Sequence, residues 1–163
     1  ILIDNTAGGS DRGKYASMSI GSDGLPIISY YDENNTNLKV LKCQTVKCDE
    51  ETSVVIDQGP EGAEISTSLT IGVDGYPLVA YSFTEGGVRK IKIVKCGNGS
   101  CSDGSGNPII SAVFLDTESG EFVSATIGVD GLPIIAYVRY TQINRLRIIH
   151  CGSENCVPFW TRR

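Results

Sequence analysis

Asp23, Asp74 and Asp130 are the acids most suggestive of chemistry, because each precedes a glycine and each stands at the same point of a repeated sequence. Carboxylates acting together are the tools of glycoside hydrolysis, where one protonates the leaving oxygen and the other attacks or activates water. That chemistry needs two acids facing each other across one cleft. Identical turns on successive repeats do not bring two acids to one substrate, so Asp-Gly here reads as a structural turn. His150 is the single histidine, and it replaces Lys42 and Lys95 of the other copies just before a cysteine. A serine–histidine pair would have to use it, and no G-x-S-x-G elbow is present. Asp103-Gly104-Ser105-Gly106-Asn107 alternates oxygen donors with glycine, but a calcium-binding EF-hand loop would carry glutamate at its twelfth position, where Phe114 stands. The sequence therefore predicts no catalytic residue, no metal site and no cofactor.

Aromatic side chains offer a different chemistry, stacking on sugar rings. Tyr30, Tyr81 and Tyr137 share one repeat position and read as core, whereas Tyr31 and Tyr140 lie off the shared pattern beside variable loops and are the better ligand-binding candidates. Asn34 and Asn98 open the sequons Asn34-Asn35-Thr36 and Asn98-Gly99-Ser100, acceptors for glycosylation in a cell that glycosylates asparagine. The six cysteines fall in three C-x4-C pairs, Cys43/Cys48, Cys96/Cys101 and Cys151/Cys156. Zinc needs four ligands converging on one point. One pair per repeat and a single histidine do not supply them, so three local disulfides are expected, each contributing about 2 kcal/mol through its short loop. Disulfides imply an oxidising, extracellular or cell-surface setting.

These residues are positioned by a repeat. Ser19-Ile20-Gly21-Ser22-Asp23-Gly24-Leu25-Pro26-Ile27-Ile28-Ser29-Tyr30 returns at residues 70–81 as T-I-G-V-D-G-Y-P-L-V-A-Y and at 126–137 as T-I-G-V-D-G-L-P-I-I-A-Y. In the second copy a short strand with one polar face over 66–71 meets an Asp-Gly turn, whose glycine supplies the positive φ of a tight hairpin. An almost continuous apolar run over 76–81 follows, with Pro77 at its entrance. Then come a basic-apolar strand over 89–95, the cysteine loop, and a last strand over 112–115. No segment carries apolar residues at helical spacing. Four strands in a meander, repeated about every 50–55 residues, predict an all-β, β-propeller-like chain of three four-stranded blades, each with a disulfide hairpin. The whole of 1–163 is then one repeat domain, with units at about 5–57, 58–116 and 117–163.

The units resemble the uncharacterised secreted bacterial repeat proteins whose pattern is S-x-x-I-G-x-D-G-x-P-x-I-x-Y-Y-D followed by L-K-V and cysteine pairs. Asp23, Gly24, Pro26, Tyr30, Tyr31, Asp32, Leu38, Lys39, Val40 and Cys43 fit it, while Ser82-Phe83 and Val138-Arg139 depart from the Tyr-Asp step. The resemblance implies an exported β-propeller and carries no activity with it.

A net charge of −5 without a basic block argues against nucleic acid or anionic membrane as partner. No apolar run reaches the roughly 20 residues of a membrane span. The chain opens on Ile1 without Met or signal peptide, as a processed protein or a piece of a longer one. Propellers close with at least about four blades, so three repeats fall short. Ile1, Leu2, Ile3 and Asp4 match the last strand of a unit, as residues 54–57 and 113–116 do, and read as the outer strand of a neighbouring or preceding blade. Val157, Phe159 and Trp160 would lie at that joint or supply the missing strand themselves. A head-to-tail contact of this kind closes a ring or runs on as a filament. The sequence thus favours a non-enzymatic, self-assembling extracellular protein whose partner is another copy of itself. A carbohydrate-binding or adhesive module is the alternative, and a glycan-active enzyme fragment the third reading.

Overall fold

The computed structural model describes residues 12–59, 66–116, 120–139 and 143–156, and all of its regular structure is β. Each repeat forms one antiparallel sheet. The first holds β1 (Arg12–Ile20), β2 (Pro26–Asp32), β3 (Asn37–Cys43) and β4 (Glu51–Gln58) in chain order. The second holds β5 (Thr67–Ile71), β6 (Pro77–Glu85), β7 (Val88–Cys96) and β8 (Ile110–Asp116). The third has β9 (Gly120–Ile127), β10 (Pro133–Arg139) and β11 (Arg145–His150) as its described strands.

The Asp-Gly segment turns the chain identically each time. The N–H of Gly24 donates to Gly21 O, that of Gly75 to Gly72 O and that of Gly131 to Gly128 O. Gly24, Gly75 and Gly131 take φ of 78°, 80° and 79°, a left-handed conformation that glycine enters without steric cost. Gly21, Gly72 and Gly128 are required for a second reason. A Cβ there would come within 2.9, 2.6 and 2.7 Å of the aspartate Oδ1 two residues on.

Successive sheets lie face to face, with β5 against both β1 and β9. Ile27, Leu38 and Val40 of the first sheet meet Val79, Tyr81 and Val94 of the second. Leu78, Ile91 and Ile93, on the second sheet's other face, meet Val123, Ile135, Tyr137 and Ile149 of the third. The second sheet is thus covered on both sides, and β6 is buried from Pro77 to Phe83, which accounts for its continuous apolar sequence. The first strands of neighbouring sheets are joined by side chains. Leu69 N–H donates to Ser17 Oγ at 3.0 Å, and Ala125 N–H donates to Ser68 Oγ at 2.9 Å. Ser17 and Ser68 occupy the same position in two repeats, so an equivalent serine helps fasten each sheet to the next.

All three predicted disulfides form, with Cα–Cα separations of 4.8, 4.8 and 4.5 Å. The second cysteine of each pair closes its loop by donating its N–H three residues back, Cys48 to Thr45 O, Cys101 to Asn98 O and Cys156 to Ser153 O. The bridges of the second and third sheets lie in the apolar layers between sheets rather than at the surface. The described residues contain no helix long and apolar enough to cross a membrane.

Candidate functional site

The antiparallel meander separates the polar residues into two groups at opposite ends of the sheets. At one end stand the Asp-Gly turns and the cysteine loops, at the other the β2–β3 and β6–β7 hairpin turns.

At the first end each repeated aspartate has two tasks. Asp23 Oδ1 accepts the Leu25 N–H at 3.0 Å and the Lys42 Nζ at 2.6 Å. Asp74 accepts the Tyr76 N–H at 3.0 Å and Lys95 Nζ at 2.7 Å. Asp130 accepts the Leu132 N–H at 3.2 Å and lies 2.8 Å from His150 Nε2. The acid therefore ties its own turn to the end of the third strand. Lys42 and Lys95 are buried and would be costly to leave without an anion. The Lys42 hydrogen bond and the Leu25 N–H hold the Asp23 carboxyl below its ordinary value. The Leu132 N–H and the neighbouring His150 do the same for Asp130. Each of these acids is engaged by its own turn and by a basic side chain of its own sheet.

A depressed carboxylate stabilises the fold above its unfolded pKa near 3.8 and loses that contribution as pH falls through the lower folded value. Asp23→Asn is expected to cost no more than about 1 kcal/mol near neutral pH by stripping Lys42 of its anion, because the Asp23 side chain is 50% exposed and solvent screens the pair. The cost should vanish once the parent's Asp23 is itself protonated. Urea unfolding of parent and variant at about pH 6.5 and about pH 2.5 measures this. A difference that persists unchanged in acid means that the ion pair is not its source.

The hairpin end holds the charges that link one sheet to the next. Asp57 on β4 accepts from the Tyr81 hydroxyl and, at 3.0 Å, from Lys92 Nζ, both on the second sheet. Burial pushes the Tyr81 phenol far above its ordinary value, and the Asp57 charge pushes it further, so the hydroxyl remains a donor. Arg89 on β7 pairs with Glu121 on β9, whose side chain is only 3% exposed. Asp32 is enclosed as well and accepts from both the backbone and the side-chain amide of Asn35. Between β4 and the 106–108 segment lies an open cleft of about 590 Å³ whose polar lining includes Lys39, Ser53, Asp57, Gln58 and Asn107.

Of the other residues singled out in the sequence, Tyr31 is 3% exposed, so its ring presents no open face for stacking. Tyr140, the Ile1, Leu2, Ile3 and Asp4 strand, and Val157, Phe159 and Trp160 lie outside the described residues. Asn34 is exposed in its turn. Asn98 is built into the second cysteine loop, its Oδ1 accepting the Ser100 and Ser102 N–H groups and its Nδ2 donating to Ser102 O. The Asp103 carboxylate is occupied by its own loop, accepting from Ser105 N, Asn107 N and Asn107 Nδ2. Sequence reading missed Lys42 and Lys95 as partners of the repeated acids, the serine link, and the Asp57–Tyr81–Lys92 and Arg89–Glu121 contacts. Aligning the repeats would have exposed the first two, since Ser17, Ser68 and Ser124 coincide, as do Lys42, Lys95 and His150.

No family model and no curated protein matches the chain. Solved structures do. The endo-arabinase of Bacteroides thetaiotaomicron VPI-5482 superposes with a TM-score of 0.55 at 14% identity, over 82% of this chain and 54% of that one. The α-L-arabinofuranosidase of Lactobacillus brevis superposes with a TM-score of 0.58 at 11% identity, over 86% of this chain and 50% of that one. Identity this low establishes shared architecture, and the chain spans about half the length of each. The expectation of a non-enzymatic, self-assembling protein is corrected on this ground. Its self-assembling part rested on the Ile1–Asp4 strand and the disulfides, and its non-enzymatic part on the repeated Asp-Gly acids being unable to meet across a cleft and on a lone histidine without a serine elbow. That argument concerned only Asp23, Asp74 and Asp130, and it says nothing of acids outside the repeat pattern, such as Glu121. Two proteins with this architecture are enzymes by name, so repetition of the scaffold is no ground for excluding catalysis.

Proposed function

We propose that the chain is part of a secreted, glycan-active β-propeller, with arabinan-type polysaccharides as the first substrate class to test. The observation that carries this reading is the architecture shared with two arabinan-active enzymes. Each sheet is then a blade of about 50–55 residues with its own disulfide hairpin, and β1, β5 and β9 are the innermost strands. The likeness to secreted bacterial repeat proteins and the three disulfides agree with an oxidising, extracellular setting.

Glycoside hydrolysis needs a pair of carboxylates flanking the scissile bond, of which one is named here. The Asp-Gly acids are committed to their own turns. Glu121 is the first carboxylate this reading tests: it lies on β9, outside the repeat pattern, and is paired with Arg89 of the adjacent sheet, so a substrate reaches it only if its buried side chain is uncovered. The cleft beside β4, which Glu121 does not line, separately offers hydroxyl, amide and charged groups to a polyhydroxylated chain.

The test is a reducing-end assay on arabinan and a panel of neutral polysaccharides, with gel retardation on the same substrates. The parent should release oligosaccharides or be retarded. Glu121→Gln, with its β-sheet signal retained, should lose about 10²-fold or more of any hydrolysis. Neither hydrolysis nor retardation on any member of the panel would sink the reading.

A further inference from the structure

The three sheets present the same two faces, and the interfaces between them follow one rule. The face carrying Ile27, Leu38 and Val40 packs on the Val79–Tyr81–Val94 face of the following sheet, and the face carrying Leu78, Ile91 and Ile93 packs on the equivalent Ile135–Tyr137–Ile149 face. The third sheet repeats the first face with Ile134, Leu146 and Ile148. Exposure at equivalent positions differs sharply. Leu38 and Ile91 are 0% exposed and Leu146 is 69% exposed; Val40 is 0%, Ile93 1% and Ile148 64%. The burial alternation of β10 tells the same story, since every second residue from Ile134 is only half-buried, whereas β6 is enclosed throughout that span. Ser124, in the place of Ser17 and Ser68, is exposed as well. The sequence at this face has kept the apolar residues of an interface, yet among the described residues no sheet covers it.

We propose that the Ile134–Leu146–Ile148 face is the docking surface for a further repeat unit of this same sequence pattern. The incoming innermost strand would donate to Ser124 Oγ the backbone N–H that Leu69 gives to Ser17 and Ala125 gives to Ser68. The occupant must bring an apolar face like that of Val79, Tyr81 and Val94, and it adds a layer that continues the two interfaces already present. A second copy of the chain is the poorer occupant. Its matching face would be that of Ile28, Tyr30 and Leu41, and Tyr30 and Leu41 are already 4% and 2% exposed. The proposal rests on the blade reading of the sheets and is independent of any glycan activity.

The experiment adds the missing layer. A copy of residues 66–116, or in a second design of residues 120–156, is appended through a flexible linker to the full chain, and amide hydrogen exchange is followed in β10 and β11. Both appended segments already pack on an equivalent face within this molecule. At least one extended chain should show exchange of β11 amides slowed about tenfold or more relative to the parent. Ile148→Asp should leave the parent's thermal midpoint within about 1 °C and should abolish the protection gained on extension. The proposal is overturned if neither extension slows exchange, if Ile148→Asp is equally harmless in parent and extended chains, or if the parent alone protects β11 in a concentration-dependent manner, which would make a second copy the occupant. Exchange reads packing only, so each of these outcomes leaves the glycan-active reading standing or falling on its own assay.

Discussion

Tyr81→Ala is expected to cost about 3–5 kcal/mol, the range for truncating a large aromatic in a closed core. The ring is fully enclosed, lies 5.8 Å from the Phe83 ring, and belongs to the apolar layer that holds the first two sheets together. Its hydroxyl also satisfies Asp57, so the residue joins the sheets by packing and by hydrogen bonding at once. Tyr81→Phe separates the two contributions. It keeps the ring and leaves Asp57 with Lys92 as its cross-sheet partner, at an expected cost of about 1–3 kcal/mol. Urea unfolding of parent, Tyr81→Phe, Asp57→Asn and the double variant forms a mutant cycle. A coupling energy near zero would show that the hydroxyl and the carboxylate do not hold the sheets together, whatever their separation. Val46→Ala serves as a control, because Val46 is 77% exposed and should cost little.

The second large effect is a contrast between two positions that are the same residue type at the same place in their repeats. Leu38→Ala should destabilise the chain by about 2–5 kcal/mol, since Leu38 is fully enclosed by the second sheet. Leu146→Ala should change stability by no more than about 0.5 kcal/mol, since Leu146 faces outward. Both are read from the midpoint of denaturant unfolding at constant slope. Equal costs at the two positions would mean that the third sheet is covered in solution by something absent here.

That contrast marks where sequence reading stops. The parts it identified are those held by neighbours in the chain. The Asp-Gly turn is made by groups two to four residues apart, with the aspartate accepting an N–H two positions on and the glycine taking the left-handed φ. Each disulfide spans a sequence separation of 5 and could form no other local pair. The continuous apolar run of β6 announced a strand covered on both faces because burial of both faces removes the alternation. The site was harder. Lys42 bonds Asp23 across two strands, and the sequence offers Lys42 only as one more residue of a basic-apolar run. Arg89 and Glu121 meet only because the second and third sheets stack, and neither belongs to the shared pattern.

The chain's own order of residues determined the turns, the strand order, the cysteine pairing and the all-β character, because each depends on interactions within a few residues or within one hairpin. Tertiary structure alone decided which of three equivalent apolar positions is core and which is surface, which lysine neutralises which turn, and which acid is enclosed beside an arginine. Those outcomes depend on contacts between sheets, and nothing in a local pattern distinguishes Leu38, closed off by the sheet that follows, from Leu146, which has no described sheet against it.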